Sequence, residues 1–225
     1  MEVLLIRHGE PEWVRDGLSV DDPPLTERGR RQAEALAERL ATEAIDEVWV
    51  SPLRRAQQTA EPLAARLGLE PRTFAWLAEI GAPRWDGTPV EVVERVFAET
   101  WTRPLDELWD GLPGGESFRT FHQRVVEGLR GHIDGLGIVA TSHDPLLWNL
   151  VDPDRRVAVV AHGGTNATLL AHLLGIPPVP WEWERFVSYH ASVSVVRPFA
   201  VSGAHAFTLL RFGDVAHLPA ALQTR

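Results

Sequence analysis

Apolar and polar positions fall along this chain in two kinds of block. Short, continuously apolar runs at Val3-Leu4-Leu5-Ile6, Val48-Trp49-Val50 and Val157 to Ala161 read as strands buried on both faces. Between them, apolar residues recur at helical spacing. Ala33, Leu36, Ala37 and Leu40 fall at i, i+3, i+4 and i+7 behind an N-cap at Thr26. Ala56, Ala60, Leu63 and Leu67 form a second stripe, closed by Gly68. Phe118, Phe121, Val125 and Leu129 mark a third helix from about Ser117 to Gly131, and Leu169, Leu170, Leu173 and Leu174 a fourth. Ser192 to Arg197 and Ala206 to Phe212 read as two final strands. From about Phe74 to Gly115 the pattern loosens and fills with Trp, Pro and Gly, with one helical stretch at Val93, Val96, Phe97 and Thr100. That stretch reads as an excursion covering the core. Strands alternating with helices imply an α/β three-layer sandwich, a mainly parallel mixed sheet with helices on both faces and a cap formed by insertions. At 225 residues the chain fits one domain, 1–225, with cap-like insertions at about 74–115 and 138–154.

Composition narrows the chemistry. The apolar fraction of 44% and charged fraction of 24% are ordinary for a globular protein with a full core. A formal charge of −9 argues against a nucleic-acid partner, which needs a basic stripe. Any anion site must therefore be built locally, from a few cations. There are no cysteines, which excludes disulfides, zinc–thiolate sites and cysteine nucleophiles. There are also no lysines, so a P-loop lysine and Schiff-base chemistry are excluded and arginine is the one strong cation left. Its guanidinium binds phosphate through a flat fork that stays charged at any working pH. No secretory leader and no run of ~20 apolar residues is present, so a cytoplasmic protein with no membrane partner is expected.

In such sheets, sites form at the carboxyl ends of the strands. Two strands here end in histidine followed by glycine, at Ile6-Arg7-His8-Gly9 and at Val160-Ala161-His162-Gly163-Gly164. A third ends in Ser51-Pro52-Leu53-Arg54-Arg55-Ala56, which puts an arginine in the first turn of a helix. The helix starting near Thr165 points backbone N–H groups toward whatever sits beside His162. Two imidazoles, two guanidiniums and backbone donors then converge as an oxyanion cradle with a nucleophile in it. Taken singly, each piece also fits a surface turn or a tight strand-to-helix connection.

These residues resemble the histidine phosphatase superfamily, the group that includes the cofactor-dependent phosphoglycerate mutases. Leu5 to Glu10 with Trp13 looks like the opening motif, Pro24 to Ala33 like the first-helix signature, and Ser51 to Ala60 like the second-helix motif. Leu77-Ala78-Glu79-Ile80 with Trp85-Asp86-Gly87, Pro113 to Ser117, and Val160 to Gly164 resemble the acid segment, the loop before the cap helix and the second-histidine motif. The resemblance implies a phosphatase acting on a small-molecule phosphomonoester. His8 would be the nucleophile, Glu79 the general acid and His162 a catalytic partner, while Arg7, Arg55 and Gly163 would bind the phosphate. It implies no metal and no cofactor, and it leaves the oligomeric state open. Flanking arginines should keep His8 unprotonated near neutral pH. Two other readings stay open: a mutase that returns the phosphoryl group to substrate, and a non-catalytic binder of a phosphorylated ligand.

The chain departs from the family pattern in three places. Val14 stands where an asparagine is usual, and Pro83 where a glycine is usual before Arg84, which makes Glu116 the alternative to Glu79 as acid. The third departure is the extra segment 138–154. It carries Leu146, Leu147 and Trp148 and is expected to pack on the tryptophan-rich excursion as part of a rim over the site. Trp76, Trp85, Trp101, Trp109 and Trp148 fit either buried packing or a ring-bearing leaving group. Asp152-Pro153-Asp154 reads as an exposed turn, and His143-Asp144 shares no metal-ligand spacing with His162 or His190.

Overall fold

The computed structural model describes residues 1–133, 138–140, 147–150 and 154–225. Strand β1 (Glu2–Arg7) leads into a small hairpin of β2 (Val14–Arg15) and β3 (Leu18–Ser19), then helix α1 (Glu27–Leu40), β4 (Glu47–Val50), α2 (Arg54–Leu67) and β5 (Arg72–Thr73). A 3-10 turn at Ala75–Leu77 precedes α3 (Val90–Thr100), α4 (Leu105–Asp110) and α5 (Phe118–Ile133). After these come β6 (Ile138–Ala140), β7 (Trp148–Leu150), β8 (Arg156–Ala161), α6 (Gly163–Leu173), α7 (Glu182–Arg185), β9 (Val193–Val201) and β10 (Ala204–Asp214).

The sheet order is β5-β4-β8-β1-β9-β10-β7-β6. The junctions of β5, β4, β8 and β1 are parallel, and every junction from β1 outward to β6 is antiparallel. The sheet is therefore more evenly mixed than the expected mainly parallel one. Inside its parallel half, β4, β8 and β1 carry the continuously apolar runs, as burial on both faces requires, while β5 is a short exposed edge. Successive side chains on β1 point to opposite faces. Val3 and Leu5 join Phe121 and Val125 of α5 and Leu169 and Leu170 of α6 on one face. Leu4 and Ile6 join Leu36 and Leu40 of α1 and Leu63 of α2 on the other. Each such buried leucine or phenylalanine contributes roughly 1.5–3 kcal/mol over its exposed state.

Thr26 caps α1 as expected: its Oγ1 accepts the Gly29 N–H at 2.9 Å. Its hydroxyl lies 2.9 Å from Glu10 Oε1, which ties the helix start to the loop after His8. The contact needs glycine on both sides. A Cβ on Gly29 would lie 2.1 Å from the Glu10 carbonyl oxygen, and one on Gly9 would lie 2.6 Å from that of Gly29.

Three local expectations change. The stretch between β1 and α1, which the apolar pattern left without an element, forms the hairpin, with Asp16 (φ 52) and Gly17 (φ 78) as its two-residue turn. Asp-Gly between extended residues is a hairpin signal. Helix α3 buries Val93 alone of its stripe, while Phe97 is exposed against Trp85. The stretch from Trp85 to Val90 packs instead on that hairpin, through Ser19 N–H to Thr88 O (2.8 Å) and Val90 N–H to Gly17 O (3.1 Å).

The third change concerns 138–154. β6 and β7 extend the sheet past β10, and Trp148 is buried edge-on against Phe207 and His172. His172 stands near the far end of α6, about 15 Å along the helix from His162 at a rise of ~1.5 Å per residue. The rings that flank Trp148 thus come from β10 and α6, in the sheet and the helix on it. Residues 141–146 and 151–153, with His143, Asp144 and Asp152, lie outside the described residues. Among the described residues no helix is long and apolar enough to cross a membrane.

Candidate active site

Strands β4, β8 and β1 lie side by side and parallel, so their carboxyl ends meet at one edge of the molecule. His8 follows the last residue of β1, His162 is the N-cap of α6 directly after β8, and Ser51 follows β4. The rings of His8 and His162 stand 5.0 Å apart, and both are buried.

One hydrogen bond fixes the chemistry of His8. Its Nδ1 lies 2.7 Å from the Gly9 carbonyl oxygen. A carbonyl only accepts, so Nδ1 carries the proton and Nε2 keeps its lone pair. Arg55 Nε donates to that Nε2 at 3.3 Å. Burial, and after it His162, Arg55 and Arg7, holds the His8 pKa well below the usual imidazole value. The flanking arginines expected to do this act in the right direction but rank behind desolvation. His162 is held neutral in the same way, by burial first and then by Arg55, Arg7 and Arg124.

The cations converge on the same point. Arg7 donates from Nη1 to Ser188 O at 2.5 Å and from Nη2 toward His190 Nε2 at 3.3 Å, and its Nε is buried without a hydrogen-bond partner. Arg55 pairs with Asp22 Oδ1 at 3.7 Å, lies 4.6 Å from the Trp13 ring centroid, and has a buried Nη1 without a hydrogen bond. His162 Nε2 is 2.7 Å from Ser51 Oγ, while its Nδ1 is buried and unpartnered. Buried polar atoms are nearly always satisfied. Here three atoms without a hydrogen bond lie on two guanidiniums and an imidazole that act on His8. Anion oxygens can accept from both guanidiniums, and from His162 Nδ1 when Ser51 donates to Nε2 and the ring proton sits on Nδ1. Gly163 backs onto Arg7, with its Cβ position 3.8 Å from Arg7 Nε.

Glu79 joins this group and Glu116 does not. Glu79 Oε2 accepts the Gly164 N–H at 2.8 Å and Oε1 accepts the Ile80 N–H at 3.0 Å. Its charge acts on both Arg7 and Arg55. The start of α6, expected to face a ligand, thus gives this N–H to a carboxylate. A Cβ on Gly164 would lie 2.6 Å from Glu79 Oε1, so a larger residue there would displace that carboxylate. Glu116 is held by Arg124, Oε1 to Nε at 2.9 Å and Oε2 to Nη2 at 2.7 Å, and also accepts the Gly81 N–H at 3.0 Å. Arg124 Nη1 in turn donates to the carbonyls of Trp76 (3.0 Å) and Ala78 (3.1 Å). The Arg124–Glu116 pair therefore frames the turn carrying Glu79.

Sequence reasoning missed Ser51, Ser188, His190 and Thr59. Thr59 Oγ1 accepts the Gly9 N–H at 2.9 Å and holds the loop at His8. Ser51 had a signal, a hydroxyl at a strand end beside the strand that ends in His162. Ser188 acts through its carbonyl, and His190 lies in an irregular stretch without motif spacing. Val14 is exposed on β2 and adds no donor. Among the described residues no group of three or more His, Asp or Glu could hold a metal ion.

Known proteins resemble the chain along most of its length. The sequence model of the histidine phosphatase superfamily (branch 1) matches residues 3–204. "Phosphoserine phosphatase 1" of Hydrogenobacter thermophilus is 31% identical over 87% of this chain and 86% of its own length. "Probable phosphoglycerate mutase GpmB" of Yersinia enterocolitica is 30% identical over 97% of this chain and 95% of its own. The crystal structure of the α-ribazole phosphatase from Shigella flexneri superposes with a TM-score of 0.71 at 25% identity, covering 95% of this chain and 96% of that one.

Proposed function

The chain belongs to the histidine phosphatase superfamily, and on that footing we propose that it hydrolyses a small-molecule phosphomonoester through a phosphohistidine on His8. The observation that carries this reading is the protonation pattern of the cradle. His8 is neutral, with its lone pair on Nε2, beside buried atoms of Arg7, Arg55 and His162 that make no hydrogen bond within the protein.

The chemistry runs in two displacements. The Nε2 lone pair attacks phosphorus as the bond to the leaving oxygen breaks, and Glu79, entering as the acid, gives that oxygen its proton. Arg7, Arg55 and His162 hold the equatorial oxygens, where charge gathers in a loose transition state. Water then attacks the phosphohistidine. The N–P bond breaks, Glu79 takes the proton from water, and phosphate leaves with His8 neutral again.

The mutase reading shares the first displacement and differs in where the phosphoryl group goes. A mutase must retain a multiply anionic ligand, and the stretch 74–115 carries eight acidic residues against three arginines. That balance favours release to water. The decisive measurement is hydrolysis of an aryl phosphate with trapping of the intermediate. Wild type should acquire an acid-labile, base-stable phosphoryl label, and His8→Ala should lose both label and turnover while keeping its fold. Substantial turnover by His8→Ala would overturn the mechanism.

A further inference from the structure

A third buried imidazole stands beside the nucleophile, outside the mechanism above. His190 is 4% exposed, and its ring lies 5.6 Å from that of His8. Its Nε2 is 3.3 Å from Arg7 Nη2 and its Nδ1 is 2.9 Å from Thr224 Oγ1. A guanidinium only donates, so Nε2 is the acceptor, and the remaining proton sits on Nδ1 and goes to Thr224. This arrangement requires a neutral ring. Burial, and then the charge of Arg7, lowers the His190 pKa to about 3.

Thr224 is itself anchored. Its Oγ1 also accepts from Gln32 Nε2 at 2.9 Å, and its carbonyl accepts the His190 N–H at 2.9 Å. Gln32 is fully buried, and its Oε1 accepts the Glu10 N–H at 2.7 Å, two residues after His8. A run of hydrogen bonds thus passes from Glu10 through Gln32, Thr224 and His190 to Arg7, closing behind the nucleophile.

The effect falls on the guanidinium. The Ser188 carbonyl takes one N–H of Nη1 and His190 one of Nη2, while the buried Nε has no partner and so remains free, with the outer nitrogens' second N–H groups, for an anion. Two contacts on the outer nitrogens fix both the position and the plane of a flat group. We propose that His190, oriented by Thr224, is a positioning residue for Arg7 that turns the Nε edge of its guanidinium toward the phosphate. The proposal rests on the phosphate-site reading above.

The test is calorimetric titration of the folded protein with orthovanadate, which reads anion binding without turnover. Losing a hydrogen bond to a charged group should make His190→Phe bind roughly 10- to 100-fold more weakly than wild type. Thr224→Val should lose a smaller factor. His190→Gln can accept from Arg7 and donate to Thr224, so it should recover most of the affinity. In an Arg7→Ala background, His190→Phe should change binding less than about twofold, because residues acting through one another are not additive. Thermal midpoints check that each variant folds. If His190→Phe does not fold, His190→Gln and Thr224→Val carry the test, and the same rescue decides where Arg7→Ala binds too weakly to measure. Wild-type affinity in His190→Phe, or the same loss with Arg7 absent, would overturn the proposal while leaving the phosphate site intact. A wild type that binds no vanadate overturns the phosphate-site reading itself, and this proposal with it.

Discussion

Lowering the pH from about 8 to about 5 should cost this protein several kcal/mol of stability without directly disabling its nucleophile. Burial lowers the pKa of His172 to about 4 and that of His190 to about 3, against ~6.5 for an unfolded imidazole. Between the folded and unfolded values the unfolded chain binds more protons, so stability falls as pH drops through that window. At pH 5 each group has withdrawn roughly 2 kcal/mol, and the pair about 4 kcal/mol. His8 and His162 shift in the same direction and add to the loss. Glu182, whose carboxyl burial raises, works the other way. Against a total stability of about 5–15 kcal/mol, this brings the protein near its threshold. Urea unfolding at fixed ionic strength from pH 8 to pH 5 measures the slope. His172→Gln, far from the site, should remove about 2 kcal/mol of the pH dependence. Because burial lowers the His8 pKa as well, acid inactivation should develop with time as molecules unfold and not at the moment of mixing. Stability constant to within about 1 kcal/mol over that range, which is less than one buried histidine supplies, would refute the reasoning.

The remaining predictions concern the site. Glu79→Gln should slow alkyl phosphates by about 10²-fold or more, the usual scale of general acid catalysis, and nitrophenyl phosphate much less, because that leaving group needs no proton; equal losses on both would remove Glu79 as the acid. Ser51→Ala leaves His162 Nε2 buried without a partner, which should cost ~1–3 kcal/mol of stability and weaken phosphate inhibition; unchanged values for both would show that the hydroxyl does not orient the ring. Turnover should survive exhaustive chelation and be inhibited by vanadate, because arginines supply the positive charge. Loss on chelation that a single divalent ion restores would move the protein to another mechanism.

How far the sequence could be read depended on whether a residue acts through its type or through its place. Leu4 and Ile6 on one face and Val3 and Leu5 on the other were legible because a buried parallel strand must be apolar throughout. Thr26 was legible because a helix start needs an acceptor. His8, Arg7, Arg55 and His162 were legible as candidates because strand ends in such sheets form sites. The antiparallel half was harder, since an isolated apolar run does not state its direction, and β9 and β10 pair by a hairpin that periodicity alone does not orient. Trp148 shows the same limit. Its apolar bulk required a partner, but a sheet edge and a cap satisfy that requirement equally, and only the register of β7 on β10 chooses between them.

The groups that tune the site were the least legible, and for one physical reason. Ser188 acts through a backbone carbonyl, which any residue could present. Arg124 acts on the carbonyls of Trp76 and Ala78, across 48 and 46 residues of chain. His190 faces Arg7 from 183 residues away, and Thr224, which holds His190, stands 34 residues further along the chain. Such contacts leave no periodic trace, because they depend on two distant backbones arriving at one place. The nucleophile and its cations must be particular residue types, so their chemistry is written locally. What holds them at working geometry needs only a donor or an acceptor of the right sign within about 3 Å, and many residue types supply that. The orienting shell is consequently readable only once the fold has brought its members together.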